Sequence, residues 1–132
     1  MSHQATVQGI YEAFGRGDVA AILDNVADDV VWDQDAPAYG IAIYEPGIGK
    51  RHVARFFTAL QELDITRFQP LNILSGGNQV AVPIALEGSV KATGKPVKVL
   101  EIHLWSFGPD GKVIRFFHCV DRHAFVLASE AG

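Results

Sequence analysis

The side chains of this chain that are able to move protons are carboxylates and imidazoles on or beside predicted strands. Asp33 ends a strand-like segment at residues 27–33, and Asp35 follows in the next loop. His103 shares one face of a later predicted strand with Glu101. In an apolar pocket, desolvation raises the pKa of a carboxylate and lowers that of a histidine, which brings both towards neutrality. These residues are therefore candidates for acid–base chemistry.

Each candidate also has a purely structural interpretation. Asp33 and Asp35 lie at the start of a loop, where solvated acids are usual. His103 could be a core histidine that is hydrogen-bonded to the glutamate on its own face. Strict alternation along the last predicted strand puts His118 and Asp121 on opposite faces, so a bulge is needed for both to reach one pocket. The residues alone leave these alternatives open.

Three amphipathic helices are predicted in the first half of the chain. Apolar residues at helical spacing predict a first helix over roughly residues 3–15. Asp18 is a good N-cap for a second helix, whose apolar stripe extends to Val26. A long segment rich in proline and glycine, residues 34–48, comes next and is predicted to gate a pocket. A third helix follows around Phe56.

From Ile65 onward the pattern changes to that of an antiparallel meander, with strands separated by glycine-rich turns. The predicted strands include residues 79–92, 97–107 and 112–121. Pro83 predicts a bulge or an edge position because proline cannot donate to a ladder. Both faces of the 97–107 strand are mostly apolar, and three helices cannot cover both sides of a sheet. We therefore predict a homodimer that packs through the outer sheet face. A short helical turn is predicted after the last strand.

Size and composition exclude several classes of protein. The 132 residues, 48% of them hydrophobic, predict one globular domain over residues 1–132, with no apolar run long enough to span a membrane. The formal charge of −4 and the scattered lysines and arginines argue against nucleic acid as a partner. The N-terminus lacks the features of a secretory signal, and the single Cys119 fits a reducing compartment, so we expect a cytoplasmic protein.

Cofactor and metal signatures are missing from the sequence. The five histidines and many acids include no pair with a recognised ligand spacing. There is no glycine-rich phosphate loop after a strand and no nucleophile elbow, and Cys119 has no obvious activating partner. We therefore predict no metal and no cofactor.

Three segments carry a resemblance to a known family. They are YEAFGRGDVAAI at residues 11–22, VARFF at residues 53–57 and DGKVIRF at residues 110–116, with Asp121 following. These segments resemble the SnoaL-like polyketide cyclase and ketosteroid-isomerase-related branch of the nuclear transport factor 2-like superfamily. The resemblance implies an α+β fold, in which a cone-shaped, curved, mixed but mainly antiparallel sheet wraps around three N-terminal helices, as in a cystatin-like roll.

The resemblance also implies roles for particular residues. The base of ketosteroid isomerases aligns with Gln34, between Asp33 and Asp35. The cyclase pattern has an aspartate near the end of the last strand and a histidine on the strand before it, and Asp121 and His103 stand at those places. Asp121 is thus expected to act as base or acid, and His103 as its partner or as an oxyanion donor, with Asp33 and Asp35 as further catalytic candidates.

The implied function is removal of a proton next to a carbonyl group, with stabilisation of the enolate that results. We expect a cofactor-independent cyclase or isomerase that acts on a small hydrophobic carbonyl compound. The alternatives are a non-catalytic protein that binds a small hydrophobic ligand, and a dimerisation domain with a vestigial pocket. The residues predicted to contact the ligand are Tyr11, Trp32, Phe56, Glu101, Trp105, Phe116 and His118.

Overall fold

The N-terminal helices form where the apolar spacing predicts them. In the computed structural model, which describes residues 2–131, the helices are α1 (His3–Gly15), α2 (Val19–Leu23) and α3 (Lys50–Ala59). Asp18 caps α2 as predicted, because its side chain accepts a hydrogen bond from the backbone N–H of Ala21. Helix α2 is shorter than its apolar stripe suggested, since Val26 is already the first residue of a strand.

Seven strands form one sheet: β1 (Val26–Trp32), β2 (Gly47–Ile48), β3 (Leu63–Pro70), β4 (Leu74–Gly76), β5 (Gln79–Val90), β6 (Pro96–Phe107) and β7 (Val113–Cys119). Their order is β2-β1-β7-β6-β5-β3, and β4 also pairs with β5. Strands β1 and β7 run parallel, whereas the other pairs are antiparallel. The predicted α+β fold with a mixed, mainly antiparallel sheet is confirmed.

Alternation along β5 and β6 separates an inner face from an outer face. The inner residues of β5 are Val80, Val82, Ile84, Leu86 and Val90, all of them buried. On β6, Glu101, His103 and Trp105 are buried, whereas Leu100 and Ile102 on the opposite face are exposed. The apolar stripes of α1 and α3 belong to the same core as the inner residues, so the helices cover the inner face.

A register shift in β7 decides which of its side chains point inward. Ser106 of β6 pairs with Arg115, but the next residue, Phe107, pairs with Val113. The extra residue, Ile114, is 40% exposed, so strict alternation, which would put it on the face of Phe116, does not hold here. A bulge of this kind resets the alternation. After it, Phe116 and His118 both point to the core.

The prediction that Pro83 lies at a bulge or at an edge position is wrong, because Pro83 lies in the middle of β5. On one side it pairs with Ile102 of β6. On the other side its carbonyl accepts a hydrogen bond from the N–H of Leu71, in the break between β3 and β4. In a strand, the N–H and C=O of one residue point the same way, so the missing donor of Pro83 falls at this break, where no ladder bond needs it.

The chain ends in a helix, α4 (Arg122–Ser129), which is longer than the single turn predicted. Its Phe125 is buried in the core, and Asp121 is its N-cap. None of the helices in residues 2–131 is long and apolar enough to cross a membrane.

Candidate active site

A cavity of about 50 Å³ lies between the helices and the inner face of the sheet. A buried water needs roughly 10–15 Å³ of such space, so the cavity is large enough for a few water molecules. Most of its wall is apolar. All seven residues predicted to contact a ligand lie on this wall, namely Tyr11, Trp32, Phe56, Glu101, Trp105, Phe116 and His118, and His103 joins them. Their contact with a ligand stays a prediction.

His118 is held in place by a buried carboxylate. Nδ1 of His118 lies 2.7 Å from Oδ2 of Asp33, and the backbone N–H of His118 donates to Oδ1 of Asp33 over 2.8 Å. Asp33 is completely buried, and His118 is 2% exposed. Within residues 2–131, Nε2 of His118 makes no hydrogen bond. The imidazole therefore lines the cavity with one nitrogen fixed and the other available.

The end of β1 explains how Asp33 reaches this position. Trp32 pairs with Phe116 in the parallel β1–β7 ladder, and the N–H of Asp33 donates to the carbonyl of Phe116 over 2.9 Å. Asp33 then takes a left-handed conformation, with φ of 52°, which aspartate tolerates better than most residues. The carboxylate is thereby directed at His118, two residues beyond Phe116. Of the two acids predicted in this loop, the structure buries only Asp33.

Arg122 and Tyr44, which were not predicted as site residues, contact the pair formed by Asp33 and His118. The guanidinium of Arg122 donates to the carbonyl of His118 over 2.9 Å and lies 3.6 Å from Oδ1 of Asp33. It also stacks over the ring of Tyr44, at 4.9 Å, and this ring in turn packs edge-on against His118. The sequence offered no spacing signal for Arg122, because it belongs to the helix that follows the last strand.

A second network of hydrogen bonds on the cavity wall connects Glu101, His103, Tyr11 and Trp105. Nε2 of His103 lies 2.7 Å from Oε2 of Glu101, and its Nδ1 lies 2.7 Å from the hydroxyl of Tyr11. The indole N–H of Trp105 donates to the same hydroxyl over 3.0 Å. All three hydrogen bonds have a donor and an acceptor when Tyr11 donates to Nδ1 of His103 and His103 donates from Nε2 to an ionised Glu101. The core interpretation of His103 is thus satisfied, and the residue also lines the cavity.

The charge states of Glu101, His103 and Tyr11 in this network follow from their burial and their hydrogen bonds. Burial is the largest influence on the pKa of Glu101 and raises it, but the hydrogen bond from His103 and the electrostatic attraction of His103, His118 and Arg122 together outweigh it, so the resulting pKa is lowered. Burial lowers the pKa of His103. Burial likewise raises the pKa of Tyr11 far above its usual range. At neutral pH this gives a carboxylate, a neutral imidazole and a neutral phenol.

Two of the predicted catalytic acids lie away from the cavity. Asp121 is exposed, and its side chain accepts a hydrogen bond from the N–H of His123 as the cap of α4. Alternation no longer applies there, since β7 ends at Cys119. Asp35 is exposed in the loop after β1, with Oδ2 3.8 Å from a guanidinium nitrogen of Arg115. The expectation that either acid faces the pocket is therefore corrected.

Family comparison agrees with this architecture. Residues 7–116 match the SnoaL-like domain family. The chain belongs to the SnoaL-like family. No curated protein is similar enough in sequence to match the chain.

Solved structures with the same fold cover almost the entire SnoaL-like chain. A nuclear transport factor 2-like protein of unknown function from Burkholderia pseudomallei is 22% identical, with a TM-score of 0.84 and coverage of 99% of this chain and 100% of its own. TerC, co-crystallised with polyporic acid, is 24% identical, with a TM-score of 0.77 and coverage of 96% and 98%. A protein from Pseudomonas putida provisionally described as a polyketide cyclase is 18% identical, with a TM-score of 0.75 and coverage of 97% and 98%.

Proposed function

We propose that this SnoaL-like protein catalyses a cofactor-independent proton transfer, of the cyclase or isomerase type, on a small hydrophobic carbonyl compound. The observation that carries the proposal is the Asp33–His118 pair, with one imidazole nitrogen fixed and the other free on an apolar cavity. Family membership and the fold shared with proteins provisionally described as polyketide cyclases support a role of this kind at the level of the family.

His118 and Asp33 divide the chemistry between them in this proposal. Nε2 of His118 takes a proton from the carbon next to the carbonyl, and the electron pair of the broken C–H bond moves into the enolate. Asp33 stabilises the imidazolium that forms, since its carboxylate lies 2.7 Å from Nδ1. The imidazolium then returns the proton to the product. His118 thus takes the role of base that was expected of Asp121, and Asp33 takes the role of its partner, which was expected of His103.

Trp32 is the proposed partner for the oxygen of the substrate. It lies on the cavity wall, and its indole N–H has no acceptor within residues 2–131. A buried donor without an acceptor costs roughly 1–3 kcal/mol. A carbonyl or enolate oxygen that reached this N–H would remove that cost.

Ligand entry requires the cavity to open. Pockets for drug-sized ligands measure about 300–1,000 Å³, whereas this cavity measures about 50 Å³. Residues 34–48, the predicted gate, contribute Ile43 to the cavity wall and bury Tyr44 against His118. We propose that movement of this segment admits the ligand.

Isotope exchange tests the proposed reaction without knowledge of the product. Protein freed of metal with a chelator is incubated in D₂O with small cyclic diketones and aromatic ketones, and with polyporic acid as a probe of binding. We expect at least one carbonyl compound to gain deuterium next to its carbonyl faster with protein than without it, as measured by NMR. Binding of compounds without any exchange would instead favour a non-catalytic binder, which the mostly apolar wall also suits.

We further propose that a second copy of the chain covers the outer face of the sheet. Leu100 and Ile102 are 60% and 38% exposed on β6, and Ile114 is exposed on the neighbouring β7. Their exposure shows that the described chain leaves this part of the face uncovered. Exposed apolar side chains on an open sheet face are typical of an interface between subunits.

Substitution of Leu100 tests the dimer. Leu100→Lys would place a charge in the apolar interface, and we expect the protein to change from dimer to monomer in analytical ultracentrifugation at micromolar concentration. Leu127→Lys is the matched control, because Leu127 is 50% exposed on α4, outside the sheet. A wild-type protein that sediments as a monomer, or a Leu100→Lys variant that stays dimeric, would contradict the proposal.

A further inference from the structure

Three buried side chains bring potential metal ligands together at the cavity. One ligand atom from each of Glu101, His103 and His118 lies within 4.8 Å of the others. All three residues are buried and line the cavity. Two histidines and one carboxylate form a donor set that suits divalent transition metals such as zinc and iron. We propose that these residues, the Glu101–His103–His118 triad, form a binding site for one divalent transition-metal ion.

Both imidazoles of the triad are held in position by a hydrogen bond at Nδ1. Nδ1 of His118 lies 2.7 Å from the Asp33 carboxylate, and Nδ1 of His103 lies 2.7 Å from the Tyr11 hydroxyl. Metal-binding histidines almost always make such a bond through the nitrogen that does not hold the metal. The Nε2 atom of each ring is thereby assigned to the ion, together with a carboxylate oxygen of Glu101.

Binding requires the hydrogen bond between His103 and Glu101 to be replaced. The proton on Nε2 of His103 moves to Nδ1, the O–H of Tyr11 turns away so that its oxygen accepts from Nδ1–H, and Nε2 then binds the ion. The ring stays neutral, so no proton is lost from it. In a tetrahedral site with zinc–nitrogen and zinc–oxygen bonds of roughly 2.0–2.2 Å, two ligand atoms lie about 3.3–3.6 Å apart. The widest separation in the triad, up to 4.8 Å, therefore needs to shorten by up to about 1.3 Å when the ion binds.

The electrostatics of the cavity wall also favour a cation. The carboxylates of Glu101 and Asp33 are both buried, and the guanidinium of Arg122 lies 3.6 Å from Asp33. These two carboxylates and one guanidinium sum to one negative charge in a region of low dielectric. A buried charge without full compensation is costly, and a cation at the triad would offset it. Three protein ligands also leave a coordination position open to the cavity, as in catalytic zinc sites.

Zinc is the probe that tests the site, and the test needs no substrate. Chelator-treated protein is titrated with zinc chloride in a calorimeter, and cobalt chloride is added in parallel for its visible absorption. We expect one zinc ion per chain, and a cobalt spectrum distinct from that of the hydrated ion. Glu101→Gln removes a ligand and should weaken binding at least tenfold. Tyr11→Phe removes only the partner of His103 and should weaken it by about 10- to 100-fold.

An exposed histidine supplies the control. His123 is exposed at the start of α4, so His123→Ala should leave zinc affinity unchanged. Circular dichroism of each metal-free variant shows whether it is folded, and Tyr11→Phe keeps the test valid if Glu101→Gln does not fold. Absence of stoichiometric zinc binding by the wild type would overturn the proposal. Zinc affinity equal to that of the wild type in whichever of Glu101→Gln and Tyr11→Phe are folded would also overturn it. Loss of zinc binding in His123→Ala would do the same. An ion on Nε2 of His118 would occupy the nitrogen that the proposed proton transfer uses, so the two proposals describe the metal-bound and the metal-free protein. Zinc binding is measured without substrate and deuterium exchange without metal, so either proposal can fail without the other.

Discussion

Replacement of His118 by asparagine is expected to lower the rate of deuterium exchange by about 10²- to 10⁴-fold, the usual contribution of general acid–base catalysis. The side-chain amide of asparagine can still donate to Asp33 where Nδ1 of His118 now lies, 2.7 Å from Oδ2. The variant therefore removes the free nitrogen on the cavity and keeps the buried hydrogen bond. The loss should fall on kcat more than on the ligand's dissociation constant.

Asp121→Asn is the matched control for this experiment. Asp121 is the acid that the family resemblance favours, but its side chain caps α4 at the surface. Asparagine is also a good N-cap, so we expect both exchange rate and stability to stay near those of the wild type. If Asp121→Asn abolished exchange and His118→Asn did not, the assignment of His118 as the base would be wrong.

Replacement of Asp33 by alanine is expected to destabilise the protein by about 3–5 kcal/mol, as found when one partner of a buried charged pair is removed. The change deprives both the backbone N–H and Nδ1 of His118 of their acceptor, and it leaves the Arg122 guanidinium without the carboxylate at 3.6 Å. A domain of ordinary stability has only about 5–15 kcal/mol in total. We therefore expect the melting temperature to fall by roughly 10 °C or more.

Asp35→Ala is the matched control, because the same substitution is made at a nearby position that also has a positive φ but is exposed. Asp35 lies two residues further on and also has a positive φ, 67° against 52°, so the backbone cost of alanine is similar at both positions. Its carboxylate is exposed, and its ion pair with Arg115 spans 3.8 Å at the surface. Such pairs contribute about 0–1 kcal/mol. Denaturant unfolding of both variants measures the difference, and equal stability of the two would show that the Asp33–His118 pair does not stabilise the fold.

Much of the cavity wall could be predicted because alternation is a local property. Once β6 is recognised, its period of two puts Glu101, His103 and Trp105 on one face. Both faces of this strand are mostly apolar, so only the structure shows that this face is the inner one. The same reasoning identified Tyr11 and Phe56 on helical stripes. These residues lie on the wall as expected because one buried face fixes the register of a strand.

The choice among the acids could not be predicted. Asp33 and Asp35 have the same side chain and similar backbone angles, yet only Asp33 follows directly on the β1–β7 pairing that buries it. Asp121 was favoured by family pattern, but the strand ends before it and a helix begins. Arg122 gave no signal because its partners, Asp33 and the carbonyl of His118, belong to other elements.

The sequence by itself determined most of the elements, which residues share a face within them, and the supply of carboxylates and imidazoles, since periodicity and turn residues act over a few positions. Tertiary structure alone decided that Asp33 meets His118, 85 residues away, and that Ile114 turns outward at a register shift. The physical reason is that strand pairing and bulges depend on partners distant in the chain. The orientation of an ionisable group in the cavity follows from that pairing and not from its neighbours in sequence.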